Sequence, residues 1–128
     1  MRREIRYVPD DEVGLFFRAA DVSVLPYRQI YQSGVVALSY AQGLPVIAAR
    51  VGSLADDVLD GETGLLFRPG DVEDLVRKIK AYYSSDLFRQ PAAAAARIRE
   101  FGASRFSWDG NGTVTCQVYE SLLSGADR

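Results

Sequence analysis

The residues with most chemistry to offer form one short run, Gln32-Ser33-Gly34-Val35, where a side-chain amide, a hydroxyl and a glycine precede an apolar stretch ending at Gln42-Gly43-Leu44-Pro45. A helix that opens at Ser33 and Gly34 points unpaired backbone N–H groups, and the positive end of its dipole, at whatever lies before it, and an anion fits that end. The rest of the inventory narrows the chemistry by subtraction. The 128 residues include no histidine and one cysteine, Cys116. Zinc sites of the nitrogen and sulfur type, a Ser-His-Asp triad and a Cys-His pair therefore cannot be assembled from this chain alone. Hydrolytic chemistry would need carboxylates or a partner, and no cofactor or metal is expected.

The elements around that run place it in an α/β domain. Asp21-Val-Ser-Val-Leu-Pro-Tyr27 reads as a β-branched strand, so the turn at Gln32–Val35 lies beyond a strand's carboxyl end, where open α/β sheets bind ligands. Gly43 ends the helix that begins near Ser33, and Pro45 to Ala49 is a strand whose apolar run predicts burial on both faces. A loop with a short helix spans Gly52 to Asp60. Gly61 and Gly64 read as turn residues, with Thr63 bonding locally, and the strand Gly64 to Phe67 follows. Upstream, Ile5 to Val8 is a strand candidate stopped by Pro9, and Asp10 can cap a helix with Val13, Phe16, Phe17 and Ala20 on one face. Downstream, Asp71 caps a helix with Val72, Leu75, Val76, Ile79 and Tyr83 at helical spacing. Another helix begins at Ser85 and restarts near Pro91. Ser107 can cap a last one presenting Val118, Tyr119, Leu122 and Leu123, its start weakened by Gly110 and Gly112.

At 128 residues, with 48% apolar and 25% charged residues, the chain fits one domain and one core. The formal net charge of −2 gives no reason to expect nucleic acid or anionic membrane as a partner. A lone cysteine, no signal peptide and no apolar run near membrane-spanning length predict a cytoplasmic protein.

Five motifs in order carry a family resemblance. Tyr7-Val-Pro-Asp-Asp-Glu-Val13, Ala19-Ala-Asp-Val-Ser-Val-Leu-Pro26, Gly43-Leu-Pro-Val-Ile-Ala48, Asp60-Gly-Glu-Thr-Gly-Leu-Leu66 and Pro69-Gly-Asp71 together resemble the C-terminal Rossmann lobe of GT-B glycosyltransferases. The group-1 family of retaining enzymes, which use nucleotide-activated sugars, matches in particular, over nearly the whole chain. The resemblance implies a three-layer Rossmann-like parallel sheet of about four strands with flanking helices, a truncated GT-B C-terminal lobe. It places the donor diphosphate and sugar on Gln32, Ser33, Gly34 and Val35, and the nucleobase and ribose near Tyr7, Val8, Leu38 and Ser39. The parent it implies is a hexosyltransferase-type enzyme, cytoplasmic or peripheral to the membrane.

Two departures qualify what the resemblance implies. The family's pair of glutamates, with seven residues between them, falls on Ile30 and Leu38, or by a one-residue slip on Tyr31 and Ser39, and neither register has a carboxylate. A subset of the family carries Gln-Ser-Gly-Val at this turn, as this chain does. The family's first two strands, the basic residues that clamp the diphosphate and the whole N-terminal lobe are also expected to be absent. The favoured function is thus a donor-binding domain that binds its nucleotide sugar weakly and is inactive alone. The alternative is a non-catalytic glycosyltransferase-like module for assembly or regulation. In a Rossmann sheet the strand Ile5 to Val8 would be separated from Val22 to Tyr27 by the two missing strands. The bare edge of Val22 to Tyr27 predicts a homodimer by strand pairing or exchange, unless Ile5 to Val8 docks directly against it.

Overall fold

The computed structural model describes residues 5–125. In chain order they form α1 (Asp10–Ala19), β1 (Ser23–Leu25), α2 (Gly34–Ala41), β2 (Val46–Ala49), α3 (Leu54–Asp57), β3 (Gly64–Phe67), α4 (Val72–Ser84), α5 (Asp86–Arg89), α6 (Pro91–Arg105) and α7 (Trp108–Gly125). The strands pair in the order β1-β2-β3, all parallel, with Val24 beside Ile47 and Ile47 beside Leu65. Every residue of β2 and β3 is buried, as continuous apolar runs in a parallel sheet require.

One face of α2 supplies Val36 and Tyr40 to the core, where they meet Leu54, Ile98 and the strand residues. The close approach of α6 to α2 depends on Gly102, because a Cβ there would stand 2.7 Å from that of Tyr40. Phe101 adds an edge-on ring contact to Tyr40 at 5.9 Å between centroids. The buried Tyr40 hydroxyl lies 3.1 Å from the Asp57 carbonyl, to which it donates, and 2.7 Å from Thr63 Oγ1. Thr63 Oγ1 in turn accepts from the Leu59 N–H at 3.0 Å. If Thr63 donates to Tyr40, every polar atom of this set has a partner, which a buried network needs if it is not to destabilise. At the start of α4, Asp71 caps the helix as expected, accepting from the Asp74 N–H.

Three expectations are corrected. The strand at Ile5–Val8 does not form, and the sheet has three strands rather than about four. An extended segment needs a neighbour for its N–H and C=O groups. None lies beside it among the described residues, and Ile5 and Tyr7 are largely exposed. Direct docking of this segment on β1 is thereby excluded in this structure, and no strand among the described residues covers the outer edge of β1. Secondly, α1 buries none of its residues; Phe16 is exposed and only Val13 and Phe17 are half-covered on the expected face. Thirdly, α4 is rotated from its expected stripe, with Leu75, Ile79 and Tyr82 inward and Val72, Val76 and Tyr83 exposed. The buried Asp74 carboxylate explains this, since it accepts the Arg68 N–H at 2.8 Å and pairs with Arg77. The last helix forms as expected, α7 following Ser107 and containing Gly110 and Gly112, and Val118, Tyr119, Leu122 and Leu123 stand exposed on it. Among the described residues no helix is long and apolar enough to cross a membrane.

Candidate functional site

The site is built at the carboxyl ends of β1 and β2. The loop after β1 runs from Pro26 to Ser33, and the loop after β2 from Arg50 to Ser53. These two loops touch. Gly52 has φ of +51°, and a Cβ on it would fall 1.8 Å from the Ile30 carbonyl oxygen, so only glycine allows the approach. The Ser53 N–H donates to the Tyr31 carbonyl at 3.4 Å across the same junction. Ile30 and Val51 pack against the core from either side. Their contact frames an open recess of about 580 Å³ lined by Arg28, Gln29, Ile30, Tyr31, Val51 and Gly52.

The amino end of α2 lies on the first of these loops. Ser33 is its N-cap residue, in extended conformation, yet its hydroxyl makes no capping bond. That hydroxyl is buried and without a partner among the described residues. The Val36 N–H turns back to the Ser33 carbonyl at 3.3 Å, while the N–H groups of Gly34 and Val35 find no acceptor in the described chain. Gly34 has no positive φ, and a Cβ on it would meet nothing within 4 Å. Neither backbone conformation nor packing therefore demands glycine, and its lack of a side chain leaves that position open.

The charge distribution favours the same ligand class. From Val22 to Ala55 the chain has no acidic residue, while Arg28 and Arg50 each follow a strand. Arg50 lies 3.8 Å from Asp60. Arg28 is exposed and has no ion pair among the described residues. Among those residues no group of three His, Cys, Asp or Glu gathers to hold a metal.

Of the residues singled out from sequence, Gln32, Ser33, Gly34 and Val35 come together at the α2 terminus, with Gln32 and Gly34 exposed. Leu38 lies one turn on and is 51% exposed; with Gly34, Ala37 and Ala41 it lines an apolar groove against α6. Ser39 faces the opposite way, wholly buried, with its hydroxyl donating to the Val35 carbonyl at 2.8 Å. Tyr7 is 81% exposed ahead of α1, and no hydrogen bond or ring contact joins it or Val8 to α2. Sequence reasoning missed Arg28 and Gly52. The acid-free stretch pointed to the first, but nothing in one sequence marks a glycine whose neighbour across a loop is so close.

Comparison with known proteins gives one consistent answer. The family described as glycosyl transferases group 1 matches residues 4–85. A D-inositol 3-phosphate glycosyltransferase from Streptosporangium roseum is 34% identical over 117 residues, covering 91% of this chain and 26% of its own. Among solved structures, sucrose-phosphate synthase from Thermosynechococcus elongatus superposes with a TM-score of 0.80 at 26% identity, over 94% of this chain and 30% of that one. Anabaena HepE, solved in complex with UDP, shares the fold with a TM-score of 0.69 at 24% identity, over 88% of this chain and 30% of its own. The chain thus spans roughly a quarter to a third of the length of these three proteins.

Proposed function

The chain belongs to the group-1 glycosyltransferases, and we propose that it is the part of such an enzyme that binds the nucleotide-activated sugar, with the donor diphosphate seated at the amino end of α2. The carrying observation is the pair of unpaired amides at Gly34 and Val35, set past the carboxyl end of β1. Backbone N–H groups and the helix dipole stabilise an anion there without further side chains. The Gln32 amide reaches the same ligand, and Ser33 offers its unpartnered hydroxyl beneath it. Leu38, where the family carries its second glutamate, presents an apolar contact to the ribose in place of a charge. Ser39 serves this site through the helix it steadies, by its bond to Val35. Tyr7 and Val8 are our candidates for the nucleobase.

A helix terminus contributes about 0.3–1 kcal/mol to a nearby anion, and up to about 2 kcal/mol where the geometry is favourable, so the isolated chain binds its donor weakly. It transfers no sugar alone, because the acceptor lobe belongs to the remaining length of the parent protein. A second reading, a binding module without catalysis, draws on the absence of a carboxylate at Ile30 and Leu38. For the isolated chain we further propose association of two copies through the bare edge of β1, since exposed strand edges recruit strands.

Replacing Gly34 with valine tests the donor site. The branched side chain fills open space, so circular dichroism and thermal unfolding should stay as in the wild type while nucleoside diphosphate binding is lost. Unchanged affinity in a folded variant would place the site elsewhere.

A further inference from the structure

We propose that the recess between the loops following β1 and β2 is a second anion subsite, in which the Arg28 guanidinium holds a phosphoryl group of the ligand that α2 binds. The inference rests on the donor-binding reading and adds to it a residue outside the Gln32–Val35 turn. Three observations carry it. Arg28 is exposed on the recess wall with no ion pair among the described residues, and the other residues of that wall are uncharged. Asp60 is engaged elsewhere, 3.8 Å from Arg50 and 3.6 Å from Lys78, and its other oxygen accepts the Leu66 N–H at 2.9 Å. The loop that bears Arg28 is held in place, because Ile30 packs on the core and its carbonyl rests against Gly52.

A planar guanidinium offers a fork of donors matched to two phosphate oxygens, which an ammonium cannot reproduce. A volume of about 580 Å³ accommodates a pyrophosphate and the ring attached to it. Tyr31, 99% exposed at the same rim, leaves a ring face free for that neighbour. The chain would in this way carry its own cation for the diphosphate on the β1–α2 loop, with Arg28 gripping one phosphoryl group and the α2 amides the other.

Inorganic pyrophosphate, UDP, GDP and ADP titrated into the 128-residue chain would decide, followed by the amide resonances of Gly34 and Val35 and the Nε–H of Arg28. The wild type should show both sets moving together with pyrophosphate and with at least one nucleotide. Arg28→Gln should weaken pyrophosphate binding about tenfold, as loss of one charge-assisted contact does, and flatten its salt dependence; Arg28→Lys should recover only part. If Arg28→Gln binds pyrophosphate and the nucleotides as the wild type does, the subsite is wrong and the α2 site stands. If none of the four ligands moves any resonance of the wild type, the subsite and the donor-binding reading fall together.

Discussion

Tyr40 joins the core to the site's supporting helix. Its ring is wholly buried against Phe101 and Phe106, and its hydroxyl ties α2 to the turns holding Asp57 and Thr63. Tyr40→Phe leaves the Asp57 carbonyl short of a buried donor, which costs about 1–3 kcal/mol and should appear as a lower denaturation midpoint. Burial pushes the Tyr40 hydroxyl up to about 12, with the Asp57 carboxylate adding to the rise and the Thr63 bond opposing it. Its folded value lies above the ordinary 10, so the stability it contributes is whole below pH 10 and is lost as pH rises towards about 12. Tyr40→Phe should therefore flatten the alkaline limb of stability against pH, and an unchanged limb would contradict the assignment. None of this was legible in the sequence, where Tyr40 reads only as an apolar position in a helix. The local bond of Thr63 was legible, because its partner Leu59 is four residues away in one turn.

At the scale of elements, local signals and tertiary ones part company. The carboxylate cap of α4, the strand Gly64–Phe67 and the proline that opens α6 follow from neighbouring residues and appear as expected. Ile5–Val8 fails because a strand is made by its neighbour, and α4 turns because Asp74 must reach the Arg68 N–H. The α2–α6 pair depends on another tertiary detail. Gly102→Ala would push a methyl group to 2.7 Å from the Tyr40 Cβ, closer than packed carbons tolerate, although alanine is the better helix former. Overpacking of this kind costs about 1–3 kcal/mol, so a variant as stable as the wild type would show that α6 can move away freely. The α2 terminus was legible for the opposite reason, since the strand, the polar turn and the helix start are contiguous in sequence.

At the scale of the whole molecule, the chain matches only part of its relatives. It spans about a quarter of the length of its Streptosporangium relative, and it leaves open both the edge of β1 and the apolar side of α7. The proposed pairing through β1 predicts, by light scattering, a mass that rises with concentration from near 14.1 kDa towards twice that value; a mass constant at that of one chain would remove it. The central claim is that a diphosphate binds at the amino end of α2. A second recess of about 410 Å³, at the opposite end of the sheet among Phe17, Asp21, Leu44, Tyr82 and Phe88, offers the alternative location. Amide resonances mapped during titration with nucleoside diphosphates at millimolar concentration separate the two. Saturable shifts centred on Gly34 and Val35 are the predicted result, whereas saturable shifts confined to Asp21, Leu44 and Tyr82, or no saturable shift anywhere, would contradict the account.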